Sequence, residues 1–199
     1  MAALKESAGL SAIPPGTLKQ GLAKFPGGVQ DAARELFEAL DIDTEEQRSA
    51  IESLAAALKG GDVRRGQAIF NGARAACSTC HAIGYLGGRL GPDLTTIGQI
   101  RSERDLIEAI LFPNMSFTRS YEPVVVQTTS GEAHSGILKK DADDEVVLAT
   151  AADKEVRIPR PEVARMEPGT VSVMPQGLDK QLTREELADL LAFLRATRW

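Results

Sequence analysis

Cys77-Ser78-Thr79-Cys80-His81 is the stretch from which the rest of the chain can be read. Two cysteines with two residues between them lie about one turn apart, the spacing at which a protein holds one porphyrin by two thioether bonds, and the histidine that follows can ligate its iron. Three other readings compete. A structural zinc site takes four Cys or His ligands, and the chain offers only Cys77, Cys80, His81 and the remote His134. A redox dithiol expects a βαβ setting, whereas the residues before Cys77 read as helix and those after His81 as a glycine-rich loop. A chance pair of buried thiols leaves unexplained why these are the only two cysteines.

Outward from the motif, a short helix is expected from Asp62, with Gly66 and Phe70 four apart on one face, so that a second helix can approach over the glycine. Gly84-Tyr85-Leu86-Gly87-Gly88-Arg89-Leu90-Gly91-Pro92-Asp93-Leu94 is too rich in glycine for a regular element and reads as a loop around a cofactor edge. Ser102 with Asp105 then opens a helix carrying Leu106, Ile107, Ile110 and Leu111 inward, stopped at Pro113-Asn114. Thr183 with Glu186 opens the last helix, whose Leu187, Leu190, Leu191 and Leu194 form an apolar stripe. That stripe is the expected mate of the Gly66/Phe70 face.

Two further blocks surround this unit. Residues 1–60 read as helical, from Val29, Ala33, Leu36, Phe37 and Leu40 and then Ile51, Leu54, Ala55 and Leu58, with a Thr44/Gln47 capping box and a stop at Gly60-Gly61. Lacking any chemically informative cluster, they are expected to form a solvated helical hairpin or spacer. From about Tyr121 the pattern turns to β: runs at 123–129, 133–138, 145–150, 155–158 and 163–166, with a turn at Ser130-Gly131. Their rhythm resembles SH3-like or Sm-like barrels and predicts a small barrel or sandwich. The expected division is therefore 1–60 helical, 61–118 plus 169–199 as the cofactor domain, and 119–168 as a β-rich insertion, α+β in all.

With 199 residues and 43% hydrophobic side chains the chain can build ordinary globular cores. A net charge of −5 and only 5% aromatic residues argue against a nucleic-acid partner. No apolar run approaches the roughly 20 residues of a membrane span, and Met1 to Gly16 lacks the apolar stretch of a secretory signal.

If haem is held at His81, the second axial position needs a ligand, and Met115, Met166, Met174 and His134 are the candidates. Met174 is preferred because Val173-Met174-Pro175 lies in a non-helical stretch before the last helix, stiffened by the proline. Met166 falls on a predicted strand, Met115 on a helix-ending loop and His134 in a hairpin strand.

Taken together, the Gly66/Phe70 helix, Cys77-Ser78-Thr79-Cys80-His81, Gly91-Pro92, the Met-Pro pair and the leucine-rich final helix resemble class I c-type cytochromes. Gly61-Asp62-Val63-Arg64-Arg65-Gly66, Gly91-Pro92-Asp93-Leu94, Tyr121-Glu122 and Met174-Pro175-Gln176-Gly177-Leu178 narrow the likeness. They are similar to the haem-binding domain at the C-terminus of large planctomycete and verrucomicrobial chains read as dehydrogenases. The resemblance implies a mostly α cytochrome c fold and one covalently attached haem c, bound by Cys77, Cys80, His81, Pro92, Leu94, Ile97 and Met174. In it the carbonyl of Pro92 fixes the His81 ring, Leu94 and Ile97 pack on the haem, and His81 and Met174 ligate iron. It also implies a periplasmic or otherwise extracytoplasmic setting, redox donor and acceptor proteins as partners, an upstream dehydrogenase module, and a natural chain longer than this one. The β-rich block explains the long separation of His81 from Met174. The leading functional expectation is a mono-haem electron carrier without a substrate of its own. Two alternatives are a haem enzyme or gas sensor with an open or labile distal site, and a partner-binding scaffold in which haem is structural.

Overall fold

The structure, a computed structural model, describes residues 21–22, 24–39 and 44–198, with side chains placed for all of these except 35–39, 44 and 45. The expected contributions of Leu36, Phe37, Leu40 and the Thr44 cap lie outside the described side chains. Within these limits the protein is an α+β fold with seven helices and one five-stranded antiparallel sheet.

The helical part is built on capped amphipathic helices. Asp62 caps α3 (Val63–Asn71; α1 is Gly27–Ala39 and α2 Thr44–Ala57) by accepting from the Arg65 N–H at 2.8 Å. Ser102 and Asp105 form a complete capping box at α6 (Glu103–Leu111), as do Thr183 and Glu186 at α7 (Arg184–Ala196). Between α3 and α6 lie two single turns, α4 (Cys77–Cys80) and α5 (Ile97–Ile100).

Helices α3 and α7 cross where the sequence predicts. A Cβ on Gly66 would overlap the backbone carbonyl of Asp189, so only glycine lets the axes approach this closely. Phe70 packs beside the crossing on Phe193, ring centroids 5.5 Å apart. The contact is locked by an unforeseen polar clamp. Asp189, 2% exposed in the apolar stripe of α7, takes the Arg65 guanidinium on both oxygens, from Nε at 2.6 Å and Nη2 at 2.9 Å, and the Asp62 N–H at 2.6 Å.

The expectation of a solvated spacer before Gly61 fails for α2. Ile51 is 1% exposed and joins Leu58, Ile107, Leu190 and Leu191 in the main core, with Leu54 and Ala55 packed against it. An amphipathic stripe reads the same in sequence whether it faces water or another helix; here α2 lies along α6 and is part of the core. The glycine-rich stretch after His81 also differs from expectation. It contains a two-residue ladder, β1 (Ala82–Ile83) with β2 (Leu86–Gly87), because Gly84 and Gly87 supply positive φ at the turn and its end.

The β-rich segment is one sheet. β3 (Pro123–Thr128), β4 (Ala133–Asp141), β5 (Glu145–Ala151), β6 (Lys154–Pro159) and β7 (Val163–Pro168) pair in the order β6-β5-β4-β3-β7. The predicted barrel or sandwich is thereby corrected: the sheet curls but does not close. Laid flat, five strands would set the edges about 19 Å apart, whereas the three residues joining β6 to β7 reach at most about 14 Å. The edges therefore converge at that corner without a ladder between them. Pro159 and Pro161 offer no N–H there, and Lys154, Arg157, Arg165 and Glu167 charge the two edges.

Inside the curl Val126, Val146, Leu148 and Ile158 form a small core. β5 is buried on both faces, since Ala149 points the other way and packs with Ile137 and Leu90 of the helical part. The segment leaves and rejoins the helical part at one place: Val124 pairs with Pro168, and the Gly169 N–H donates to the Pro123 carbonyl at 2.8 Å. No helix among the described residues is long and apolar enough to cross a membrane.

Candidate functional site

The single turn of α4 starts from Ala76 in the left-handed region, φ +48°, an uncommon place for a residue with a Cβ and one that costs about 1–2 kcal/mol. That reversal sets Cys77 and Cys80 on one side of a cleft of about 250 Å3. His81 follows with its N–H bonded to the Cys77 carbonyl at 2.9 Å, and its ring enters the same cleft.

Nδ1 of His81 lies 2.8 Å from the Pro92 carbonyl oxygen. A carbonyl only accepts, so Nδ1 carries the proton and Nε2 is left with a free lone pair. Gly91 makes this contact fit, because a Cβ there would sit 2.5 Å from Cε1 of the ring. Burial lowers the pKa of His81, opposed by the Pro92 bond. The imidazole is thus neutral and oriented, as a metal ligand must be.

The far segment of the cleft comes from 172–174. The Ser172 N–H donates to Oδ1 of Asn114 at 2.8 Å, and the Met174 N–H to Oγ of Ser172 at 3.1 Å, which ties this loop to the end of α6. Cys77, Cys80, His81, Pro92, Leu94, Ile97 and Met174, separated by up to half the chain, all line the one cleft. Of the competing candidates for the second ligand, none lines it. Met166 is exposed on β7, Met115 sits in the turn after α6, and His134 lies on β4 with Nε2 3.7 Å from Glu132.

Sequence reasoning did not single out Leu90, Phe117 or Tyr121 as cleft residues, nor Ala76 as the strained start of the motif. Phe117 and Tyr121 fall in the irregular stretch between α6 and β3, where no periodicity marks an inward side. The left-handed Ala76 has no local signal, since glycine or asparagine would be the usual choice.

The thiols behave as buried groups. Desolvation pushes Cys77 up to about 11 and raises Cys80 as well. A redox dithiol needs the opposite, a thiol pKa lowered towards neutrality. Among the described residues no three His, Cys, Asp or Glu side chains converge as a metal ion held by protein alone would require, which counts against structural zinc. The arrangement can hold a flat apolar group carrying its own metal: two sulfurs and an oriented imidazole come from one turn, and a thioether from another loop.

No protein-family model matches the chain, and no curated protein matches it.

Proposed function

We propose that this protein is a mono-haem c-type cytochrome domain that carries single electrons from a dehydrogenase module or another donor to a respiratory acceptor, outside the cytoplasm. The observation that carries this reading is the convergence of Cys77, Cys80, His81 and Met174 on one apolar cleft, with Nδ1 of His81 committed to Pro92.

The residues present fit the group. Cys77 and Cys80 would hold it through thioether bonds, His81 Nε2 would be the proximal ligand, and Met174 the distal one. Bound there, haem would supply a one-electron couple at its iron. The chain's own contribution is position and environment. Pro92 and Gly91 fix the plane and tautomer of the imidazole. Leu90, Leu94, Ile97, Leu106 and Leu190 give the cleft an apolar lining that would keep water from a bound haem, and this lining and the Met174 thioether would both disfavour the more highly charged oxidised iron. With His81 and Met174 both available as ligands, no open coordination position would be left for a substrate, and the protein is read as a carrier rather than an enzyme.

The test is a redox titration of the full chain matured in a periplasm that has haem-attachment machinery. One haem per chain, retained after denaturation, and a single reversible one-electron wave are expected. A chain recovered without covalent haem, or with haem that cannot be cycled, contradicts the proposal.

A further inference from the structure

The cleft leaves the five-stranded sheet without a role, yet the sheet touches both segments that carry the axial candidates. Leu90, Ile137 and Ala149 form one buried cluster, and Cys80, Tyr121 and Val173 pack against it. Leu90 directly precedes Gly91-Pro92, the pair that fixes the His81 ring, and Val173 directly precedes Met174. Ile137 of β4 faces Ala149 of β5 in the ladder, so the two side chains present a joint apolar spot on the outer face of the sheet.

A second grip lies two residues further along β4. The register passes from Leu138 opposite Leu148 to Lys140 opposite Val147, which leaves Lys139 as the extra residue of a bulge. Its ammonium donates to the Arg89 carbonyl at 3.1 Å and lies 5.9 Å from the centre of the Tyr121 ring. A bulge that turns a lysine onto the backbone of the loop just before Leu90 reinforces the same contact from outside.

We propose that the sheet is a brace for the axial ligands: Ile137 and Lys139 are positioning residues that hold the 89–92 loop and the 172–174 loop in one fixed relation. The inference rests on the haem reading above and concerns how firmly Met174 is held. A thioether on a loop competes with external ligands, and packing that fixes the loop favours the thioether by removing its freedom to leave.

The test compares four variants of the haem-loaded full chain by imidazole titration, following loss of the sulfur-to-iron charge-transfer band, with unfolding measured in parallel. Ile137→Ala is expected to bind imidazole about tenfold more tightly, within the range of couplings between residues in contact, and Ile137→Val to return most of the way. Lys139→Met keeps the stem on an exposed residue, folds, and is expected to shift binding in the same direction by a smaller factor. Val146→Ala removes fully buried methyls on the inner face, away from the cleft, and is expected to lower stability without moving imidazole affinity. Imidazole affinity that follows stability across all four variants, or stays constant in Ile137→Ala and Lys139→Met, overturns the brace and leaves the haem reading standing. A wild-type protein that takes up haem but never shows the band overturns the Met174 ligation and the brace together.

Discussion

Cys77→Ala/Cys80→Ala is expected to abolish all haem that survives denaturation of the chain, the largest single effect on the cofactor. Both sulfurs stand on one turn, started by the strained Ala76, and both open to the cleft, where one bound group could take both. Each single variant keeps one sulfur and is expected to retain a reduced yield of covalent haem. The measurement is the haem signal of the denatured chain on a gel, with the mass of the intact protein. Burial pushes the Cys77 thiol up to about 11, so it stays protonated at neutral pH, the opposite of what a redox dithiol needs. Haem remaining on the denatured double variant would show that the sulfurs do not attach it.

The second large effect is on stability. Asp189→Ala leaves the Asp62 N–H and the Arg65 guanidinium without their acceptor at the α3/α7 crossing. Arg65 keeps 58% of its side chain in water and can be resolvated, so the loss is that of a buried acceptor and its hydrogen bonds, about 2 kcal/mol. Chemical denaturation of wild type and variant checks the figure; a difference below 1 kcal/mol, by the same reckoning roughly that of a surface pair, would contradict it. The clamp also predicts a pH dependence. The hydrogen bonds from Arg65 hold the Asp189 carboxyl below its ordinary value. A carboxyl depressed in the folded state contributes stability above its unfolded pKa, about 3.9, and loses that contribution as pH falls through the folded value. Wild type is therefore expected to lose stability on acidification below about pH 4, and Asp189→Asn to lack that part of the fall.

Much of this was legible in the residues. Ser102/Asp105 and Thr183/Glu186 mark helix starts because their side chains satisfy N–H groups that any helix leaves open, a local requirement independent of the rest of the fold. Gly66 announced the crossing because close approach demands the absence of a Cβ. The strands were visible in their β-branched runs, but whether the two edge strands, β6 and β7, would pair was not: closure depends on the corner at Pro159 and Pro161, where N–H groups are missing. The burial of Ile51 was invisible because its stripe has the same period on a spacer as in a core. Asp189 was hidden for a related reason. It lies within a leucine stripe, and the arginine that makes its burial tolerable is on a helix distant in sequence. The seven expected cleft residues could be named, but that Tyr121 and Leu90 would join them through the sheet follows from tertiary packing alone.

The most direct test of the central claim is the optical spectrum of the matured protein, oxidised and reduced, beside that of Met174→Ala. The account predicts a low-spin spectrum with the sulfur-to-iron charge-transfer band in the wild type and loss of that band in the variant. A high-spin spectrum in the wild type, or a band unchanged in Met174→Ala, would contradict it.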